Sequence, residues 1–294
     1  MIGTVPKNYR NSSWNIHPRG THGSHRTEQP GGNDLHHPSQ QISRALARNF
    51  EKISTGLRIA RSADDAAGQG VANKLRALHV SADQASRNIN DGISVIGVAD
   101  GAANEVGSVL TRLRELAVQS ASETLATSER AYIQDETNQL VSEIQRISAV
   151  TEFDGSKLID GSITQLDVQV GVRNSANDRI TIHFAGLSTT YLGVTGLDLS
   201  TAALARTAID TVDTAIDTVN SVRSLFGASE NRLGTALNNI ETFSEANKTG
   251  ESRIRDADFG VETAALTQNQ ILQQAGVSIL AQAKGINQNA LALL

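Results

Sequence analysis

The chain has 294 residues, no Cys, one Met, one Trp and four Pro, a net charge of −5 and 3% aromatic residues. Zero Cys excludes a disulfide framework and any Cys-ligated zinc or iron–sulfur site, and the acidic balance argues against nucleic acid as the partner. So few aromatics cannot line the usual apolar pocket of a small-molecule enzyme, and without an unbroken run of about 18 apolar residues no membrane insertion is expected.

The first 39 residues stand apart. Pro6, Pro18, Pro30, Pro38 and Trp14 all fall there, with five of the seven His. The segment is polar, rich in Gly, His and Pro, and has no apolar period, which predicts disorder in the monomer. It lacks the continuous apolar stretch of a cleavable secretory signal. Its His17, His22, His25, His36 and His37 offer at most a weak metal site on flexible flanks.

From Ser39 onward there is no Pro, which predicts long helices. The first runs from about Ala66 to Ser122, roughly 80 Å. Val71, Leu75, Leu78, Ala82, Ala85 and Ile89 step by four and three. After Ile93 the stripe resumes with Ile96, Ala99, Ala103, Val106, Leu110, Leu113 and Ala117. The extra four-residue step reads as a stutter. A second helix, about Ser128 to Ala149, has Ile133, Leu140, Ile144 and Ile147 as its stripe and Ser128 as N-cap.

A β-hairpin follows within 163–185. Leu166, Val168, Val170 and Val172 alternate with polar residues, as do Ile180, Ile182 and Phe184, with Asn174–Asp178 as the turn. The third long helix has a faultless heptad seam: Ala208, Val212, Ala215, Val219, Val222, Phe226, Ser229, Leu233, Ala236, Ile240 and Phe243. A fourth closes the chain with Leu272, Gly276, Ile279, Ala283, Ile286, Ala290 and Leu293. An apolar seam at the very end of a chain calls for burial in an assembly. The fold class is mainly α, a long coiled-coil helical bundle with a small β-hairpin.

Catalytic patterns are missing: no HExxH, no GxSxG and no phosphate-binding Walker loop. Gly68-Gln69-Gly70 lacks a preceding strand and reads as a loop-to-helix transition. Asp64-Asp65 reads as a helix cap. His79 and His183 are isolated. No cofactor, metal or catalytic residue is assigned.

Several stretches together resemble bacterial flagellin: ISTGLRIARSADDAAGQGVANKL (53–75), QASRNINDGISV (84–95), VLTRLRELAVQSAS (109–122), SENRLGTALNNI (229–240), ESRIRDADFGVETAALTQNQILQQAGVSILAQA (251–283) and NQNALALL (287–294). The resemblance covers about 40–294. It implies that the N- and C-terminal helices are paired in an inner-tube domain of 40–56 with 260–294, and that 57–259 form an outer-tube domain that includes the hairpin, with no large surface domain. Residues 1–39 match nothing in the family, so the first half of the N-terminal inner helix is missing or replaced, and only Ile42, Leu46, Phe50 and Ile53 keep its stripe.

The resemblance further implies a secreted, extracellular subunit that polymerises into the swimming filament. Its partners would be copies of itself, an export chaperone and the flagellar export apparatus, and the cap and junction proteins. The inner-tube seam would be Leu272, Ile279, Ile286 and Leu293. The run LTRLRELAVQ resembles the segment bound by the vertebrate receptor Toll-like receptor 5. Carried over, the contacts are Leu110, Arg112, Leu116, Gln119 and, on the second helix, Glu136. Alternatives are a hook–filament junction protein, a non-assembling flagellin paralogue and a chemoreceptor-like signalling hairpin. The β-hairpin and the apolar C-terminus speak against the signalling hairpin.

Overall fold

The computed structural model describes residues 36–291, with side chains for 40–282. The reading of 1–39 as disordered lies outside the described residues up to 35 and is corrected for 36–39, which form the first turn of a helix. His17, His22 and His25 lie outside the described residues, and His36 and His37 outside the described side chains. Helix α1 (His36–Thr55) already contains Pro38, which is tolerated because the first-turn N–H groups have no intrahelical acceptor. The remaining elements are α2 (Ala66–Ser120), α3 (Thr127–Val150), β1 (Glu152–Phe153), β2 (Ser156–Lys157), β3 (Gln165–Gln169), β4 (Arg179–His183), the single turn α4 (Thr189–Leu192), α5 (Ala202–Arg255) and α6 (Phe259–Leu291). The chain divides into two units. One comprises residues up to Glu51 with those from Gly260, and the other Lys52–Phe259.

The larger unit is built on α2 and α5, which run antiparallel. Cross-links between them fix the register: His79 Nε2 to Glu251 at 2.9 Å, Ser244 to Asp83 at 2.6 Å, Arg223 to Asp100 at 2.9 Å and Arg114 to Asp213 at 2.5 Å. As one residue number rises, the other falls in step. The Arg pairs are largely solvated and set register more than stability, whereas His79 and Glu251 are mostly buried. The stability comes from the apolar seam. Val212, Ala215, Phe226 and Leu233 of α5 and Ile89, Ala99, Val106 and Leu110 of α2 are completely buried. Ala and Val at the seam let the helices approach closely.

At the start of α2 the seam differs from the spacing read in the sequence. Val71 is exposed, and Ala72 is buried in its place. The inward face there runs Ala72, Leu75, His79, Ala82, with His79 held by Glu251. A polar residue occupies a seam position, so a purely apolar pattern misses it. From Ala82 onward the two agree. At the stutter, Gly92 becomes buried, and a Cβ there would meet Val168 of β3 at 3.0 Å. The gap in the heptads is where the hairpin docks.

By length and composition α2 contains a window apolar enough to cross a bilayer. Its buried seam is that of a core helix, and its remaining faces carry ion-paired Asp100, Arg112 and Arg114.

Strands β3 and β4 pair antiparallel with Leu166 opposite Ile182 and Val168 opposite Ile180. Val168, Val170, Ile180, Ile182 and Phe184 face the core, and the Phe184 ring packs against Phe226 with centroids 5.6 Å apart. A second, shorter hairpin, β1–β2, turns through Asp154 (φ 48°) and Gly155 (φ 74°). Asp-Gly is the sequence signal for such a turn.

Helix α3 starts at Thr127, one residue earlier than the spacing predicts, so Ser128 is not the N-cap. Ala126 holds that position, and Glu129 reaches back to accept from its N–H at 3.0 Å. Side chains of α3 tie down the connections beneath it. Gln134 accepts from Leu199 N at 2.6 Å and donates to Leu197 O at 2.8 Å. Ser148 donates to Ile159 O at 3.0 Å. Across from it, Ser120 of α2 donates to Leu199 O at 2.6 Å. On α5, Thr207, Thr211, Thr214 and Thr218 each donate a hydroxyl to the carbonyl four residues earlier, at 2.9–3.4 Å.

Candidate assembly and recognition surfaces

The segment around Arg112 splits by heptad position. Leu110 and Leu116 fall on the inward stripe of α2 and are fully buried. Arg112 and Gln119 fall on the outward face, as does Glu136 on α3. The structure brings Arg112 and Glu136 together across the α2–α3 contact. Arg112 Nε and Nη2 both donate to Glu136 Oε1, at 2.9 and 2.8 Å, and Nη1 donates to Glu115 at 2.9 Å. These bonds, Glu136 first, raise the guanidinium pKa above its ordinary value. Two residues further, Arg114 donates to Asp213 of α5 at 2.5 Å and holds that carboxyl below the usual aspartate range. The outward surface is thus a pre-ordered ionic lattice resting on buried leucines.

Helix α6 presents a different surface. Val261, Ile271, Leu272, Val277 and Ile279 are exposed, Ile279 at 61% and Leu272 at 45%. Leu272 and Ile279 sit seven residues apart on one face. Ile286 and Leu293 of the same seam lie outside the described side chains. A half-buried stripe runs beside them, Leu266, Asn269, Gln273, Gly276 and Leu280. Within this unit α1 touches α6 at Asn49, whose carboxamide, suitably turned, accepts from Leu266 N at 3.2 Å. An exposed stripe of large aliphatic side chains on a long helix marks a contact surface.

The catalytic candidates resolve into structural roles. Asp64 accepts from Ala60 N and Arg61 N at 3.2 and 2.9 Å, and Asp65 caps α2 by accepting from Gly68 N at 2.8 Å. Gly68 is required there, because a Cβ would overlap the Asp65 carboxylate. His183 ends β4 and is exposed. Among the described residues no group of three His, Cys, Asp or Glu converges. Sequence reasoning missed the buried Arg130, which donates to Ser122 O at 2.6 Å and closes the α2–α3 turn. Its position on the α3 stripe, three residues before Ile133, was the available signal.

Two family models match the chain: the bacterial flagellin N-terminal helical region over residues 33–164 and the C-terminal helical region over 209–294. A flagellin of Halalkalibacterium halodurans is 42% identical, with 83% of this chain and 90% of that protein aligned. A flagellin of Bacillus subtilis is 38% identical, over 85% and 93%. The flagellar filament 33 kDa core protein of Treponema phagedenis is 36% identical, over 85% and 92%. The crystal structure of Bacillus cereus flagellin matches with a TM-score of 0.47 and 31% identity, covering 52% of this chain and 88% of that one. With both end regions matched, and with relatives this similar aligned over most of their length, the chain belongs to the bacterial flagellin family and is a non-enzymatic structural subunit of the flagellar filament.

Proposed function

We propose that the chain is exported through the flagellar export apparatus with an export chaperone, and that it adds to a filament whose further partners are the cap and junction proteins. In that filament 40–56 with 260–294 form the inner tube, and 57–259 form the outer tube. The supporting observation is the contrast between a seam fully closed within Lys52–Phe259 and an α6 that leaves Leu272 and Ile279 open. A seam left open among the described residues of its own chain is completed by neighbouring copies. The Ile286 and Leu293 positions continue the same spacing. The test is seeded polymerisation of purified monomer, imaged by electron microscopy. Filaments of uniform diameter are the expected result, and amorphous pellet or soluble monomer overturns the reading.

The outward face of the α2–α3 pair supports a second, incidental property, recognition by Toll-like receptor 5. Arg112, Gln119 and Glu136 make the contacts, and buried Leu110 and Leu116 hold the surface in shape. Arg112→Ala weakens receptor activation by the monomer in a reporter-cell assay. Unchanged signalling by that variant removes this part.

A further inference from the structure

At the tip of the β3–β4 hairpin, Arg173, Arg179 and Arg232 line a groove of 760 Å³ floored by Ile180, Ile240 and Phe243. Arg179 donates to Asn174 Oδ1 at 3.1 Å. Among the described residues none of the three forms an ion pair. Among the described residues the only carboxylate lining the groove is Asp178, which is turned onto Gly171 so closely that a Cβ there would overlap it. Three cations around one groove with so little compensation hold a positive potential that attracts an anionic surface.

A matching surface lies elsewhere on the same unit. Helix α5 contains two consecutive heptads, TAIDTVD (207–213) and TAIDTVN (214–220), which place Asp210 and Asp217 at equivalent exposed positions. Among the described residues neither is ion-paired, whereas Asp213 between them is taken by Arg114. Seven residues of helix set the two carboxylates roughly 10 Å apart on one face. They sit 15 and 22 residues from Arg232 on one continuous helix. That is roughly 20–35 Å along its axis, too far to meet in one chain. A copy displaced along the helix direction brings them together, and a contact between two different surfaces of identical chains is the kind that propagates without closing.

We propose that the arginine groove receives the Asp210–Asp217 face of a second copy, making an axial ionic contact of the polymer. The proposal rests on the filament reading and adds to it the two surfaces that meet.

The experiment measures the critical concentration of each purified chain without seeds and, separately, its growth on wild-type seeds. Arg179→Glu with Arg232→Glu, folded by circular dichroism, raises the critical concentration for homopolymerisation about tenfold or more. The milder Arg232→Gln raises it less, and serves as the reading should the double variant lose its fold. Adding Asp210→Arg and Asp217→Arg to the groove reversal restores self-assembly, because both faces are exchanged, and this chain extends wild-type seeds poorly. An unchanged critical concentration in the groove variants overturns the contact, as does a fourfold variant that fails to recover. Normal growth with lost retention on dextran sulfate would give the groove to a soluble polyanion and equally overturn it. A wild-type chain that gives no filaments removes the polymer reading instead, and the contact with it.

Discussion

Helices α5 and α6 are written in one alphabet and end in opposite states. Both repeat small and aliphatic residues at heptad spacing. In α5 that stripe is closed, with Val212, Ala215, Phe226 and Leu233 sealed against α2 and the hairpin. In α6 Leu272, Val277 and Ile279 stand in the open. Among the described residues, what separates them is the presence of a complementary stripe in the same chain. Helix α2 supplies one for α5 at matching length, 55 residues against 54. Helix α1 has 20 residues against the 33 of α6. Burial therefore follows from the supply of partners, and a heptad seam says that a surface will be covered without saying by what.

Substitutions break this comparison at graded cost. The largest effect is on assembly. Leu272→Asp with Ile279→Asp leaves the thermal unfolding of the monomer unchanged, because both side chains are already wet, yet abolishes filament growth in a sedimentation assay. Phe226→Ala strikes the closed seam instead. It removes a fully buried ring that packs on Phe184 and lowers monomer stability by about 3–5 kcal/mol in urea unfolding.

Ser120→Ala costs about 1–3 kcal/mol by the same measurement, since the Leu199 carbonyl loses its buried donor. The smallest effect is a pH dependence at Asp160. Its carboxyl is held below the ordinary aspartate range by the Ser162 hydroxyl, at 2.6 Å, and then by the Ser162 N–H, at 2.8 Å. A depressed folded-state pKa gives stability that is present above the unfolded-state value and lost as pH falls through the folded one. Unfolding midpoints followed downward from about pH 4 therefore show a shallower decline in Asp160→Asn than in the wild type.

The helices were legible because their period is strict. The eleven-residue seam of α5 could be named without coordinates, and the alternation of Val168 and Val170 against Ile180 and Ile182 gave the hairpin. Misreadings arose where a polar residue does an apolar residue's work. His79 sits in the seam because Glu251 answers it across the bundle, and nothing local announces a partner 172 residues away. The same holds for Gln134, whose amide grips the backbone at Leu197 and Leu199. The N-cap of α3 was misplaced because Ala126, which has no side-chain oxygen, holds that position, and only Glu129 reaches back to accept from its N–H. In the receptor-like segment the motif was recognisable as a string. Which of its members face outward depends on the phase of the α2 seam, and that phase puts Leu110 and Leu116 inside.

The threonines of α5 carry one more consequence. Thr207, Thr211, Thr214 and Thr218 have each committed their hydroxyl hydrogen to their own helix. Any neighbour or water then meets methyl groups and an acceptor lone pair, never a donor. Composition counts this strip as hydrophilic, yet covering it strips away little bound water, since its donors were satisfied beforehand. Beside the carboxylates of Asp210 and Asp217, it is a lubricated track: easy to dehydrate, poor in directional bonds, and tolerant of a neighbour that slides before it locks.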